Sequence, residues 1–325
     1  MADLRRLRAR AERAFPNSSP DAVLNRVKAI VGSAKAMPPT EEGLLAVAAL
    51  QKLTDTQAEE PTPAELAALE LMIRMTRPAP LLHKGRPDNI RKIEQSEIFP
   101  AWAAFQDSIQ PYSHAIGRID RAGKSSAASQ TVGTGFLIST TQLLTNKHVL
   151  MELSRGTGAL QEGQGVVRFQ WEDDSFAPDA PVPILGVIAV HATLDAVLLR
   201  VKDRSLSVTQ QLPKISEAEL SEETDVVVIG YPANDSERNP LFVRAIFGSQ
   251  FEVLRALPGQ LTDLHETGFS HDCSTLGGNS GSPVFSMATA MVIGLHRSGS
   301  FLWRNEAIGG RLISEFIKDH VGRER

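Results

Sequence analysis

The stretch GGNSGSPVF, residues 277–285, sets Ser280 inside a glycine-rich turn that runs into an apolar, strand-like segment. Glycines at 277 and 278 allow a tight backbone turn in which the amides of Gly278 and Ser280 can point at one spot. A serine hydroxyl is a weak nucleophile and needs a neighbouring base. By itself the stretch is equally compatible with a structural turn, so its meaning depends on the rest of the chain.

Two earlier segments supply the missing chemical groups. LLTNKHVL (143–150) carries His148 just after a predicted strand, and HATLDAVLLRV (191–201) carries Asp195 at the start of another. A histidine titrates near neutrality and can act as the base for the serine, while an aspartate can fix the tautomer of the imidazole. Taken separately, the histidine could be a capping residue and the aspartate a surface carboxylate. In the order His, Asp, Ser they predict a catalytic triad.

Together, LLTNKHV, GGNSGSPVF and VIGLH resemble the trypsin-like peptidases of bacterial type, with a stronger likeness to glutamyl endopeptidases than to HtrA proteases. The resemblance extends from about Tyr112 to the end of the chain. It implies two six-stranded antiparallel barrels with the active site in the cleft between them. It also implies protein or peptide substrates, no cofactor and no metal, with an oxyanion hole at Gly278, Asn279 and Ser280.

The resemblance extends to the substrate pocket. In glutamyl endopeptidases, a histidine beside the pocket and a threonine before the glycine turn bind an acidic side chain. By motif match these positions are His296, in VIGLH, and Thr275, in CSTLGGNSG, with Ser274 near the pocket base and Ser298 and Gly299 as further substrate-binding residues. This implies cleavage after Glu or Asp. Alternatively, His296 is a packing histidine, which would leave a preference for small or apolar residues.

The composition describes an ordinary globular protein. The 325 residues are 42% hydrophobic and 22% charged, with a net charge of −4, which fits one or two domains and gives no general attraction to nucleic acid. No apolar run approaches the roughly 20 residues of a membrane span, and the first residues, MADLRRLRARAERAF, do not resemble a secretory signal. Cys273 is the only cysteine, so an intramolecular disulfide is excluded. We therefore expect a cytoplasmic protein that binds neither membrane nor nucleic acid.

Residues 1–77 have the periodicity of four helices. The first is amphipathic and rich in arginine, and we expect its arginines to face solvent; the second begins at Ser19, and the third covers 41–54. The fourth opens with a capping box formed by Thr62 and Glu65. These helices contain no cluster of metal ligands and no phosphate-binding loop. The bundle is therefore either a stabilising appendage or an adaptor that docks on a protein partner.

The remaining chain changes character twice. The proline-containing segment 78–111 is typical of a linker that is partly ordered by packing. From 112 to 325, short Val, Ile and Leu runs between turn residues predict strands, closed by an amphipathic helix near Ile313. The predicted fold is therefore mainly β, a chymotrypsin-like double β-barrel preceded by a small all-α bundle. Its parts are a helical adaptor or regulatory domain (1–77), a linker (78–111) and a serine protease domain (112–325).

Other candidate residues carry weaker signals. His265 and His271 do not have the spacing of a helical zinc motif, so we expect no metal site there. His191 is expected to be structural, and Cys273 is expected to pack beneath the serine loop. Asn279 stands where trypsin-type enzymes have an aspartate that pairs with a newly cut N-terminal amine, so activation by that ion pair is not expected.

A softer resemblance concerns the whole chain. RPAPLLHKGRPDNI, IQPYSHAIGRI, GTGFLIS and HRSGSFLWRNEAI resemble cytosolic bacterial trypsin-like peptidases with helical adaptor domains of effector-associated or death-fold-like type. This implies a regulated protease in a bacterial defence or conflict pathway, with a protein partner for the helices. The alternatives are a peptide-binding scaffold that has lost catalysis and a housekeeping quality-control protease.

Overall fold

Helices form the N-terminal part of the computed structural model, which describes residues 2–15, 25, 40–55, 59–88, 99–122, 130–170, 180–234, 240–300 and 304–321. They are α1 (Ala2–Ala14), α2 (Thr40–Thr54) and α3 (Pro63–Met75). The predicted capping box is present, because Thr62 Oγ1 accepts from the Glu65 amide at 3.3 Å and Glu65 Oε2 accepts from the Thr62 amide at 2.7 Å. The predicted helix beginning at Ser19 lies outside the described residues, apart from Asn25.

The helices share a small apolar core of their own. Its larger buried side chains come from all three elements and from the residue after α1: Leu7, Phe15, Leu50, Leu69, Met72 and Ile73. None of the helices that the structure describes combines the length and the apolar surface that crossing a bilayer requires.

The segment after α3, predicted to be a linker partly ordered by packing, contains a hairpin and a helix. The Ala79 amide donates to Ile246 O at 2.9 Å, and a short hairpin follows, formed by β1 (Leu82–His83) and β2 (Arg86–Pro87). Helix α4 (Trp102–Ser113) then buries Trp102, Phe105 and Ile109, whose spacing places them on one helical face. This segment therefore contributes a helix to the core of the protein.

Twelve antiparallel strands form two closed six-stranded barrels. The first barrel, in the order β3-β4-β5-β8-β7-β6, consists of β3 (Ile116–Arg121), β4 (Gln130–Ser139), β5 (Gln142–Thr145), β6 (Gly165–Phe169), β7 (Val182–Val190) and β8 (Val197–Val201). The second, in the order β10-β11-β14-β13-β12-β9, consists of β9 (Asp225–Gly230), β10 (Arg255–His265), β11 (Gly268–His271), β12 (Pro283–Ser286), β13 (Val292–Ser300) and β14 (Arg304–Gly309). The predicted double barrel preceded by helices is confirmed.

Three helices accompany the barrels: α5 (Lys147–Leu153), α6 (Pro240–Phe247) and α7 (Gly310–Val321). The predicted C-terminal amphipathic helix is confirmed as α7, which buries Ile313 and Phe316. One continuous apolar core joins the two barrels, α4 and α7, and includes Phe136, Leu198 and Phe285. The two barrels are therefore fixed against each other, and so are the residues at their interface.

The arginines of α1 do not all face solvent as expected. Arg6, Arg10 and Arg13 recur on one helical face, and that face lies against the second barrel. Their carboxylate partners there are Glu222 and Asp263 for Arg6, Asp272 for Arg10 and Asp225 for Arg13. The expectation was wrong because these partners lie more than 200 residues further along the chain.

A buried ion-pair cluster stabilises the first barrel. Asp120, with a fully buried side chain, accepts from Arg118 Nε and Nη2 at 2.9 Å each and from Arg168 Nε at 2.8 Å. We expect Asp120→Ala to lower the free energy of unfolding by about 3–5 kcal/mol, because two cations lose their shared buried partner. Urea unfolding followed by circular dichroism measures this.

Asp107→Ala is the matched control, since Asp107 is largely exposed and pairs with Arg86 at 2.8 Å. Its loss should cost about 0–1 kcal/mol. Equal effects of the two substitutions would contradict the assigned role of Asp120.

Candidate active site

His148 and Asp195 form a tight pair on the first barrel. His148 lies in the first turn of α5, directly after β5, and its Nδ1 is 2.7 Å from Asp195 Oδ2. The His148 amide also donates to Asp195 Oδ1 at 3.0 Å. Burial opposes ionisation of Asp195, but the hydrogen bonds from His148 hold the pKa of that carboxyl below its usual range. An ionised Asp195 keeps the proton of neutral His148 on Nδ1, which leaves Nε2 free to accept one.

His191 shapes the loop that presents Asp195. Its Nδ1 accepts from the amides of Thr193 at 3.2 Å and Leu194 at 2.9 Å. The ring also packs edge-on against Phe316 of α7, with 5.2 Å between ring centres. These contacts give His191 the structural role that the sequence suggested.

The loop around Ser280 requires glycine at two positions. Gly278 has a φ of +85°, and a Cβ there would lie 2.4 Å from Tyr231 O; Gly281 has a φ of +86°, and a Cβ there would lie 2.1 Å from Thr134 O. Gly277 has neither a positive φ nor a close neighbour. The glycine requirement expected at 277 and 278 therefore falls at 278 and 281.

Thr134 of the first barrel anchors this loop of the second. The Thr134 amide donates to Ser280 O at 2.8 Å, and its hydroxyl donates to Gly278 O at 2.7 Å and accepts from the Tyr231 amide at 3.2 Å. The carbonyl oxygens of Gly278 and Ser280 therefore both accept hydrogen bonds from Thr134. In the described part of the chain the amides of Gly278 and Ser280 make no hydrogen bond, so both are available to an oxygen in the cleft.

Asn279 differs from its two neighbours. Its amide donates to Leu276 O at 3.3 Å, and its side-chain Nδ2 donates to the same oxygen at 3.2 Å. Of the three residues expected at the oxyanion hole, Gly278 and Ser280 therefore have free amides, whereas the amide of Asn279 is engaged within the loop.

A cleft of about 460 Å³ between the barrels brings the predicted residues together. The first barrel contributes His148 and Asp195, and the second contributes Ser280 and the opposite wall: Thr275, Leu276, Gly277, His296, Arg297, Ser298 and Gly299. The described hydrogen bonds include none between Ser280 and His148. In ligand-free sites such bonds are often long and tighten when substrate binds.

The predicted substrate-binding residues divide into two groups. Thr275, His296, Ser298 and Gly299 line the cleft, whereas Ser274 is buried and is not among the lining residues. Thr275 Oγ1 donates to Asn305 Oδ1 at 2.7 Å, so its hydroxyl hydrogen is already engaged.

The cation Arg297 lines the cleft beside His296 and was not among the residues predicted from the sequence. The only signal for it was its position next to the VIGLH motif.

His296 has a buried histidine behind it. His271 Nε2 lies 3.2 Å from His296 Nδ1, and burial is the main cause that lowers the pKa of His271 to about 3 and that of His296 well below its usual value. Both rings are therefore neutral near pH 7. His271 Nδ1 is buried and has no partner among the described residues; an unpaired acceptor is tolerated better than an unpaired donor. This favours donation from His271 to His296, which places the remaining proton of His296 on Nε2.

The other candidate residues have separate surroundings. His265 Nε2 lies 2.9 Å from Glu306 Oε2, so His265 and His271 have different partners. No group of three or more potential metal ligands occurs within the described ranges. Cys273 is fully buried in an apolar cluster of the second barrel, and this burial raises the pKa of its thiol.

Two solved protease structures are similar to this chain. A solved structure of a protease from M. tuberculosis in its active form is 17% identical, covering 68% of this chain and 84% of that one, with a TM-score of 0.44. A serine endoprotease from Yersinia pestis is 18% identical, covering 68% of each chain, with a TM-score of 0.46. No curated protein matches the chain significantly.

The sequence model of the family described as "Trypsin-like peptidase domain" matches residues 133–295, a range that contains His148, Asp195 and Ser280. Because this match spans half of the chain, the protein belongs to the trypsin-like peptidase family.

Proposed function

We propose that this protein is a serine endopeptidase that cleaves protein substrates through an acyl-enzyme. The observation that carries the proposal is the cleft in which Ser280 faces the His148–Asp195 pair, with the free amides of Gly278 and Ser280 at the same loop. A nucleophile, a base, a residue that orients the base and two oxyanion donors are the groups that peptide-bond hydrolysis requires.

The mechanism assigns one task to each group. Ser280 Oγ attacks the peptide carbonyl and passes its proton to His148 Nε2, while Asp195 stabilises the imidazolium. The amides of Gly278 and Ser280 bind the oxyanion. The C–N bond then breaks, and His148 gives the proton to the departing amine. A water molecule, deprotonated by His148, releases the acyl group from Ser280.

The first test is covalent labelling with a fluorophosphonate probe. We expect the wild-type chain to be labelled at Ser280, Ser280→Ala not to be labelled, and His148→Ala to react at least about 1,000-fold more slowly because the base is lost. Mass spectrometry locates and quantifies the label. Ser205→Ala, at an exposed serine in the segment that follows β8, is the control and should react like the wild type. An unlabelled wild-type chain would instead indicate a peptide-binding scaffold with a protease fold.

We propose further that the enzyme cleaves after Glu or Asp. His296 offers its Nε2 proton and Arg297 its guanidinium on the same wall of the cleft, and a carboxylate accepts strongly from such donors. Thr275 would have to exchange its bond with Asn305 to take part. The glutamyl endopeptidase likeness of the motifs supports the same preference.

A set of peptides differing only at the residue before the scissile bond tests this preference. We expect kcat/KM to be highest for Glu or Asp. His296→Ala should lower it for Glu by about 10-fold to 100-fold while changing little for Gln, because a hydrogen bond to a charged group is lost. The control is Arg304→Gln, at an exposed cation of β14. Efficient cleavage after Lys or Arg would refute an acidic preference.

We also propose that the N-terminal helices are an adaptor through which a protein partner regulates cleavage, in a cytoplasmic bacterial defence pathway. The helices have their own apolar core and contact the second barrel through Arg6, Arg10 and Arg13. Asn279 is neutral and hydrogen-bonded within its loop, so control through an ion pair at that position has no basis. The defence role is supported by the resemblance of the sequence segments quoted above.

Regulation by a protein partner predicts that the enzyme cleaves few different proteins in cells. We expect proteomic mapping of new protein termini, comparing the wild type with Ser280→Ala, to find one or a few substrates that depend on Ser280. Broad digestion of many proteins would favour a quality-control protease.

A further inference from the structure

Residues 271–275, termed here the pocket segment, connect β11 to the loop of Ser280. Two residues of this segment reach the proposed substrate site: Thr275 lines the cleft, and His271 contacts the cleft residue His296. All five residues of the segment are buried. The position of the segment therefore decides where this wall of the cleft lies.

Asp272, in the middle of the pocket segment, is bound by arginines of the helical region. Its Oδ2 accepts from Arg10 Nη1 of α1 and from Arg77 Nη1, just after α3, at 2.6 Å each. Its Oδ1 accepts from the Gln260 amide of β10 at 2.6 Å. A third arginine, Arg74 of α3, donates to the backbone oxygen of Cys273 at 3.3 Å.

This cluster of charged side chains is buried, so each charge needs its partner in place. The side chain of Asp272 has no exposure and those of Arg74 and Arg77 have 1% each, whereas Arg10 lies at the edge with 12%. Burial opposes the charge on Asp272, but the arginines outweigh it and hold the pKa of this carboxyl far below its usual range. Glu70 completes the cluster, 3.1 Å from Arg10 and 3.0 Å from Arg74. A displaced helix would leave a buried charge without its partner.

Strand β14 also holds the pocket segment. Asn305 Nδ2 donates to Cys273 O at 2.6 Å, and Asn305 Oδ1 accepts from Thr275. Arginines from the helices and Asn305 from the barrel thus bind the same short stretch. Of these groups, the arginines carry charge and Asn305 does not.

We propose that Asp272, held by Arg10 and Arg77, is a positioning residue for the substrate-binding wall, so that the helical region orders the pocket without touching substrate. Its effect on cleavage rests on the proposed function; its effect on the order of the pocket segment does not. Arg10 is the residue best suited for a test, because its place at the edge of the cluster makes substitution less disruptive than at Asp272 or Arg77.

The first measurement is hydrogen exchange of the full chain, followed by mass spectrometry. We expect Arg10→Gln to increase deuterium uptake in peptides that cover 269–276 and to leave peptides of β5 unchanged. Arg10→Lys, which keeps the charge, should restore part of the protection. The control is Arg8→Gln on the same helix, where the partner of Arg8 among the described residues is Glu12, in an exposed contact at 2.8 Å. Urea unfolding confirms that each variant is folded.

The second measurement compares two covalent probes of Ser280. The reaction rate of a simple fluorophosphonate depends on the catalytic triad. The rate of a diphenyl phosphonate with a glutamate-like side chain also depends on how that side chain fits the substrate pocket. We expect Arg10→Gln to slow the second probe at least about ten-fold relative to the first, a ratio that a general loss of stability would not change. Arg8→Gln should leave the ratio at its wild-type value.

The outcomes separate the two proposals. Uptake in 269–276 that rises no more in Arg10→Gln than in Arg8→Gln would overturn the positioning role, whether or not the protein is a peptidase. Equal slowing of both probes would overturn its link to the substrate wall. A wild-type chain that reacts with neither probe would refute the proposed peptidase function, and the exchange data would still decide the role of Asp272.

Discussion

The hydrogen bonds of Thr134 to the Ser280 loop are the contact on which the site depends. This residue of the first barrel holds Gly278 O with its hydroxyl and Ser280 O with its amide. The second barrel holds the same loop through other groups, since the Gly281 amide donates to His296 O at 2.9 Å and the Ala233 amide to Gly277 O at 2.7 Å. An oxyanion hole needs its hydrogen-bond donors held in place before the reaction. The contact between Thr134 and the Ser280 loop meets that need.

That contact persists because the barrels share one apolar core. Phe136 and Leu198 of the first barrel and Phe285 of the second belong to this core, and the ring centre of Phe105 in α4 lies 6.3 Å from that of Phe285. Close packing of this kind resists small displacements, so the distance between the His148 side and the Ser280 side of the cleft is fixed by residues remote from both. Helix α4, which precedes β3, therefore helps to hold the site in place.

Charge, by contrast, ties the helices to the second barrel. Arg6, Arg10 and Arg13 on one face of α1 meet carboxylates of that barrel, and the most deeply buried of these is Asp272. Buried ion pairs add little net stability compared with apolar contacts, but they tolerate few alternative arrangements. Such a contact suits a region that must adopt one position on the protease.

From the sequence by itself, strand periodicity predicted a mainly β domain, and the resemblance of the motifs around His148 and Ser280 to trypsin-like peptidases implied the double barrel and the residues of its cleft. The sequence did not predict β10, where Pro258 and Gly259 resemble a turn; the glycine is needed because a Cβ there would lie 2.6 Å from the Cys273 amide. Nor did it identify Thr134, the helix α4 or the partners of the α1 arginines. These depend on contacts between residues far apart in the chain, and only the packing of the folded protein brings such residues together.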